Sequence, residues 1–278
     1  MSIDYAALVA DRFGETPDLW AGLPDMDCVA RILARRTHRA YTDREVPDAL
    51  ISLLCRAALS ASSKSDFQQA SILLVRDPAK RAALAAPFPA MPWIGLAPVF
   101  LVFLGDSRRL ELFGTLRGHA QDNGILEGFF NAAVDAALAM QTFILGAESA
   151  GLGTCPISVL RNEAPLVGEV LGLPDKVFPV AGLCVGWPER AGHLSQRLPT
   201  EITLHVDTYD DSALETAIVR YDAAREARNP TPREKQRAPA RFGYADRYGW
   251  SEDKARQSAQ GEGAAFPPWL RAQGFAVT

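Results

Sequence analysis

Three guanidinium groups and a hydroxyl fall within five residues at Arg35-Arg36-Thr37-His38-Arg39. Arginine presents a planar fork of donors that matches phosphate oxygens, so this stretch could grip an anion. The residues alone equally fit a solvated helix end whose arginines complement the C-terminal dipole. Another guanidinium stands at Arg197, ahead of Leu198-Pro199. Ser62-Ser-Lys-Ser-Asp-Phe-Gln68 gathers hydroxyls and an amide that could hold a sugar-like chain or a polar ring, or form an ordinary polar loop. Asp135 and Glu148 interrupt an apolar stretch, where a carboxylate is either catalytic or tied into hydrogen bonds.

Several other chemistries lack their residues. Cys28, Cys55, Cys155 and Cys184 are far apart, with no C-x-x-C and no histidine at zinc-ligand spacing. His38, His119, His193 and His205 form no H-E-x-x-H pattern, and no G-x-S-x-G or P-loop occurs. Gly151-Leu-Gly153 follows a predicted helix and lacks a third glycine, so it fails as a dinucleotide fingerprint. With 29 Lys+Arg against 33 Asp+Glu the net charge is −4, which argues against nucleic acid or an anionic membrane as partner.

The positioning elements follow from periodicity. A helix is expected within 24–36, and a second after Pro47 with Leu50, Leu53, Leu54 and Ala57 on one face. Ser71–Val75 and Ala97–Leu104 read as buried strands, and 177–186 as a core strand closed by Trp187-Pro188. The stretch 129–149 is apolar almost all round, which predicts a central helix enclosed on most sides. Its Asp135, Gln141 and Glu148 argue against a membrane span. A short helix is expected at 164–171. Seven basic residues and three prolines in 225–247 predict a basic, mobile loop, and the aromatic 266–275 segment a docking tail. The class is therefore α+β or α/β, of one or two domains in 278 residues. The N-terminus has no secretory pattern, so a cytoplasmic protein with reduced thiols is expected.

In their order these pieces resemble the FMN-dependent nitroreductase family, most closely its NADPH-dependent nitroreductase and flavin reductase branch. The carriers are Arg35–Tyr41 with Val46-Pro47, Ser63–Gln68, Asp135–Gln141 through Ala147–Gly153, Leu173-Pro174, Gly182–Pro188, Arg197-Leu-Pro199 and the closing Trp269–Phe275. The resemblance implies one α+β domain over 1–278, with a core of about 25–210 and a 211–278 extension. The implied fold has three layers: a central mixed sheet flanked by helices, with the extension swapped onto the partner subunit of a homodimer.

It further implies bound FMN. Arg35, Arg36, Thr37, Arg39 and Arg197 would grip its phosphate and ribityl chain, Ser63, Ser65 and Gln68 would lie along the flavin, and the main chain at Pro156, Ile157, Ser158 and Val159 would meet the N5 and O4 edge. No protein side chain is expected to act as catalyst. NADPH would reduce the flavin and leave before an electron-poor acceptor (nitroaromatic, quinone or free flavin) enters, in ping-pong order. Arg225, Arg228 and Arg233 are the candidates for the NADPH 2′-phosphate, and no metal is implied. Three departures stand out: Ser195 replaces a basic residue of the phosphate grip, Ser158 and Val159 replace glycines, and Ala86–Trp93 has no polar or basic donor. These leave open a specialised FMN oxidoreductase not driven by NADPH, or a non-catalytic flavin carrier.

Overall fold

The computed structural model describes residues 3–15, 23–120 and 125–276. Its elements in chain order are α1 (Tyr5–Phe13), α2 (Asp27–Ala34), α3 (Asp48–Leu59), β1 (Ala70–Leu74), α4 (Pro78–Ala85), α5 (Trp93–Leu96), β2 (Val99–Asp106), α6 (Arg108–Arg117) and α7 (Leu126–Ser149). They continue with β3 (Gly153–Ile157), α8 (Ala164–Leu171), β4 (Val177–Gly186), α9 (Thr200–Thr203), α10 (Leu214–Arg228), α11 (Pro239–Phe242), α12 (Trp250–Ser258) and α13 (Phe266–Ala272). The chain divides into two compact units, Arg36–His193 with Gly263–Thr278, and Met1–Arg35 with Leu194–Glu262.

The first unit is built on a sheet of order β1-β2-β4-β3. Strand residues alternate between faces, and β2 uses this fully. Phe100, Val102 and Leu104 join one core cluster with Leu84, Ile94, Val167 and Leu171, under α4, α5 and α8. Leu101 and Phe103 join the opposite cluster with Ile51, Leu54, Phe143 and Ile144, from α3 and α7. The result is the expected helix–sheet–helix arrangement. Pairing among the four strands is antiparallel throughout, which corrects the expected mixed sheet. Parallel pairing is confined, among the described residues, to the isolated bridges Thr37↔Thr154 and Ile125↔Ala276. β2 and β4 read as uninterrupted apolar runs because helices cover both of their faces, whatever the strand direction.

α7 is long and apolar enough to cross a bilayer by length and composition. Here one face of it packs into the core through Ala132, Ala136, Ala139, Phe143 and Ala147. The expected enclosure is incomplete, because Leu126, Phe130, Val134 and Leu138, spaced four apart, form an exposed apolar stripe. The tail packs against α7 and β4: Leu270 and Phe275 are buried with Ala132 and Phe178. The Phe178 and Phe275 rings meet edge to face at 5.3 Å.

The second unit holds α1, α2 and α9–α12. Asp4 caps α1 by accepting from the Ala7 N–H at 2.9 Å, and Gly14 ends it in the left-handed conformation at φ 73°. The basic stretch is not the mobile loop its composition predicts. Arg225 and Arg228 finish α10, and buried Gln236 closes a two-way pair with Ala245, its Nε2 donating to the carbonyl at 2.8 Å and its Oε1 accepting the N–H at 2.9 Å. Buried Arg256 donates to the carbonyls of Arg237 at 3.2 Å and Gly243 at 2.7 Å. These internal partners, invisible to a count of charges and prolines, order the segment.

Candidate functional site

In the sheet-containing unit the basic segment is sewn onto β3. Thr37 bridges to Thr154, and the His38 N–H donates to the Thr154 carbonyl at 2.9 Å. Gly153 makes room for this: a Cβ there would lie 2.8 Å from Cβ and Cγ of His38. On the other side, the Thr42 N–H donates to the Trp187 carbonyl at 2.9 Å, and a Cβ at Gly192 would lie 2.6 Å from the Thr37 carbonyl oxygen. Tyr41 donates its hydroxyl to the His38 carbonyl at 2.6 Å. Burial, reinforced by the Cys184 and Cys155 thiols, pushes the Tyr41 phenol well above its usual range, so it keeps that proton.

The stitch fixes the main chain of three candidate residues: Arg36 and Thr37 are half-buried, and Arg39 is exposed with its guanidinium 5.4 Å from the Trp93 ring centre. Two to five residues beyond Thr154 come the four flavin-edge candidates. Pro156 and Ser158 are exposed, Ile157 is buried in the core and Val159 packs partly against it. Pro156 has no N–H, so only Ile157, Ser158 and Val159 can donate from the main chain. Burial pushes the Cys184 thiol up to about 12, so it stays protonated at neutral pH and supplies no nucleophile.

The polar loop is strained. Ser65, Asp66 and Gln68 have φ of 48°, 58° and 53°, in the left-handed region that non-glycine residues avoid. Asp135 holds it: its two oxygens accept the N–H groups of Lys64 at 2.9 Å and Gln69 at 3.0 Å. Ser63 Oγ accepts from the Gln68 N–H at 2.7 Å. A cavity of about 400 Å³ is lined by Ser62, Ser63, Gln68, Ser71, Arg109 and Asp135, among others. Asp135 is therefore an anchor rather than an acid or base, and Glu148 is likewise engaged, accepting from the Thr154 hydroxyl at 2.9 Å. Arg109 escaped the reading of the sequence. It pairs with Asp106 at 2.7 Å and donates to the carbonyls of Ala70, at 2.7 Å, and of Gln68. Its only sequence signal is the Asp106-Ser-Arg-Arg turn after a strand.

The other unit carries Arg35, Arg197 and the three nucleotide candidates. Arg197 and Arg225 line one cavity of about 460 Å³ with Phe13, Ser195, Tyr221 and Trp250. Arg225 Nη1 donates to Tyr221 Oη at 2.6 Å, and the Tyr221 hydroxyl donates to the Gln196 carbonyl at 3.1 Å. Arg228 is instead paired with Asp11 at 2.8 Å, and Arg233 lies over the Tyr244 ring at 4.7 Å. The three basic candidates thus do not converge on one point.

An arginine segment stitched to β3, on an α+β three-layer frame, points to a class of protein that comparison with known proteins identifies. The Nitroreductase family model matches residues 32–187, and the Nitroreductase family C-terminal domain model matches 195–278. The chain belongs to the nitroreductase family. Among its relatives, "FMN reductase [NAD(P)H]" of Bacillus subtilis is 34% identical over 200 residues, 70% of this chain and 80% of that protein. "NADPH-flavin oxidoreductase" of Vibrio harveyi is 30% identical over 253 residues, 89% of this chain and 98% of that protein. Among solved structures, Bacillus megaterium NfrA2 aligns with a TM-score of 0.81 at 30% identity, covering 91% of this chain and 99% of its own. The NADPH:FMN oxidoreductase from Vibrio harveyi complexed with NAD+ aligns with a TM-score of 0.78 at 30% identity, covering 91% of this chain and all of its own.

Proposed function

We propose that the chain is an FMN-dependent NAD(P)H oxidoreductase, a cytoplasmic homodimer that passes electrons to an electron-poor small molecule such as a nitroaromatic, a quinone or free flavin. The observation that carries this reading is the Thr37–Thr154 stitch, which holds the arginine segment against β3, the strand that leads into residues 156–159. The donor set fits FMN chemically: guanidinium groups for a phosphate, hydroxyls for a ribityl chain, and N–H dipoles for a ring edge that becomes negative on reduction. Bound FMN supplies a two-electron carrier able to accept hydride from a reduced nicotinamide. Arg35, Arg36, Thr37, Arg39 and Arg197 hold the phosphate end, Ser63, Ser65 and Gln68 hold the ring, and the N–H groups of Ile157, Ser158 and Val159 meet its edge. No side chain is needed as acid, base or nucleophile.

The exposed stripe on α7 supports the homodimer, since a contiguous apolar patch of that kind marks a protein contact. All four cysteines are free, in keeping with a reducing compartment. The two units are taken to serve one functional domain over 1–278. Initial velocities with NADPH and a quinone as the varied pair are expected to give parallel lines and to vanish when FMN is stripped. Intersecting lines, or turnover without FMN, would contradict the proposal.

Arg225 is the strongest candidate for the NADPH 2′-phosphate, because it shares a cavity with Arg197 and with aromatic walls able to take a planar base. Arg228, whose pair with Asp11 is exposed and cheap to exchange, and Arg233 complete the set. Arg225→Ala is expected to raise the KM for NADPH about tenfold, the worth of one charge-assisted hydrogen bond, and to leave the KM for NADH unchanged. Equal effects on both nucleotides would refute the assignment.

A further inference from the structure

Arg12 sits in the last turn of α1 and is 4% exposed. Its guanidinium spans three main-chain carbonyls: Nε donates to Leu33 at 2.8 Å, Nη1 to Ser195 at 2.8 Å and Nη2 to Arg35. Its own carbonyl accepts the N–H of Arg197 at 2.7 Å. One side chain therefore touches both short segments that carry Arg35 and Arg197, which belong to the same compact unit. Residues 3–15 lie outside the stretches matched by the two family models, 32–187 and 195–278. The clamp is thus supplied by a part of the chain that the family pattern does not describe.

The fork geometry matters here. A guanidinium is rigid and permanently charged, so three carbonyls bound to one such group are fixed in separation and direction in a way a flexible ammonium cannot reproduce. The positions fixed are those from which the Arg35 and Arg197 side chains depart. Ser195, which has no positive charge of its own, is held through its carbonyl by this arginine.

We propose that Arg12 is a positioning residue for phosphate recognition: it sets the main chains of Arg35 and Arg197 so that their two guanidinium groups meet one phosphate monoester, that of FMN. The inference rests on the FMN reading above, and the test separates the two. FMN and riboflavin differ only in the phosphate, and binding of each is measured by quenching of flavin fluorescence for the wild type, Arg12→Met and Arg12→Lys.

The wild type is expected to prefer FMN. Arg12→Met should weaken FMN binding tenfold or more while changing riboflavin binding less than twofold, and Arg12→Lys, which keeps the charge and loses the fork, should recover only part of the loss. Equal weakening of both flavins would show a merely structural role and overturn the inference, as would unchanged FMN binding. Should Arg12→Met fail to fold, Arg12→Lys with a native circular dichroism spectrum must still narrow the FMN-to-riboflavin preference at least threefold. An unchanged preference overturns the inference. A wild type that binds neither flavin defeats the FMN reading and this inference with it. A wild type that binds both equally leaves the FMN reading standing and defeats only the role of Arg12.

Discussion

Replacing Asp135 by alanine is expected to lower stability by about 2–4 kcal/mol, because it removes the acceptor of two N–H groups, one of them on a residue buried to 1% exposure. The loss should be local as well as global. Ser65, Asp66 and Gln68 occupy left-handed backbone only while the loop is held at both ends, and each such residue costs on the order of 1 kcal/mol. Without the carboxylate the loop relaxes, and Ser63, Ser65 and Gln68 no longer share one geometry. Urea unfolding should therefore show the stability loss, amide exchange at 64–69 should accelerate, and FMN affinity should fall at least tenfold. Asp135→Asn keeps one acceptor oxygen and should lie between. An Asp135→Ala protein with wild-type stability and wild-type exchange in the loop would show that the two hydrogen bonds do not hold it.

The second large effect is expected at Gly153. A valine there must displace His38, whose Cβ and Cγ would stand 2.8 Å from the first added carbon, before the branched methyls are considered. Overpacking of this kind costs about 1–3 kcal/mol. The functional loss should be larger, because the displaced residue lies between Thr37 and Arg39 and its N–H makes the bond to Thr154. Losing one charge-assisted hydrogen bond to the phosphate costs about 1.5–3 kcal/mol, so FMN binding should fall by about ten- to a hundredfold while the secondary structure persists. Gly95→Ala is the control, since its added carbon meets only Ala85 at 3.7 Å and should leave melting and binding unchanged. If Gly153→Val bound FMN like the wild type, the stitch could not be what aligns the arginines.

Residues whose partners lie nearby in sequence were the readable ones. The β2 run showed its burial directly, and α7 its length, since both depend on local periodicity. β3 was missed because Pro156 masks a five-residue strand whose pairing with β4 is wholly long-range. The arginine cluster was visible as a motif, whereas what aligns it was not: Gly153 matters only through His38, which lies over a hundred residues earlier. Arg12 is one arginine in an unremarkable helix, and only the fold brings three carbonyls to it. The basic 225–247 stretch misled because charge and proline content say nothing about the buried contacts of Gln236 and Arg256. The exposed stripe on α7 differs again, for the sequence records the apolar face, and periodicity alone does not distinguish a face turned into the core from one left exposed.

The most direct test of the central claim is anaerobic absorbance spectroscopy of the protein with one equivalent of FMN per chain, followed by separate additions of NADPH and NADH. A perturbed bound-flavin spectrum that is bleached by NADPH at catalytic rates, and restored by a quinone or nitroaromatic, is the predicted result. Unperturbed free-flavin absorbance, or bound FMN that neither nucleotide reduces, would contradict it.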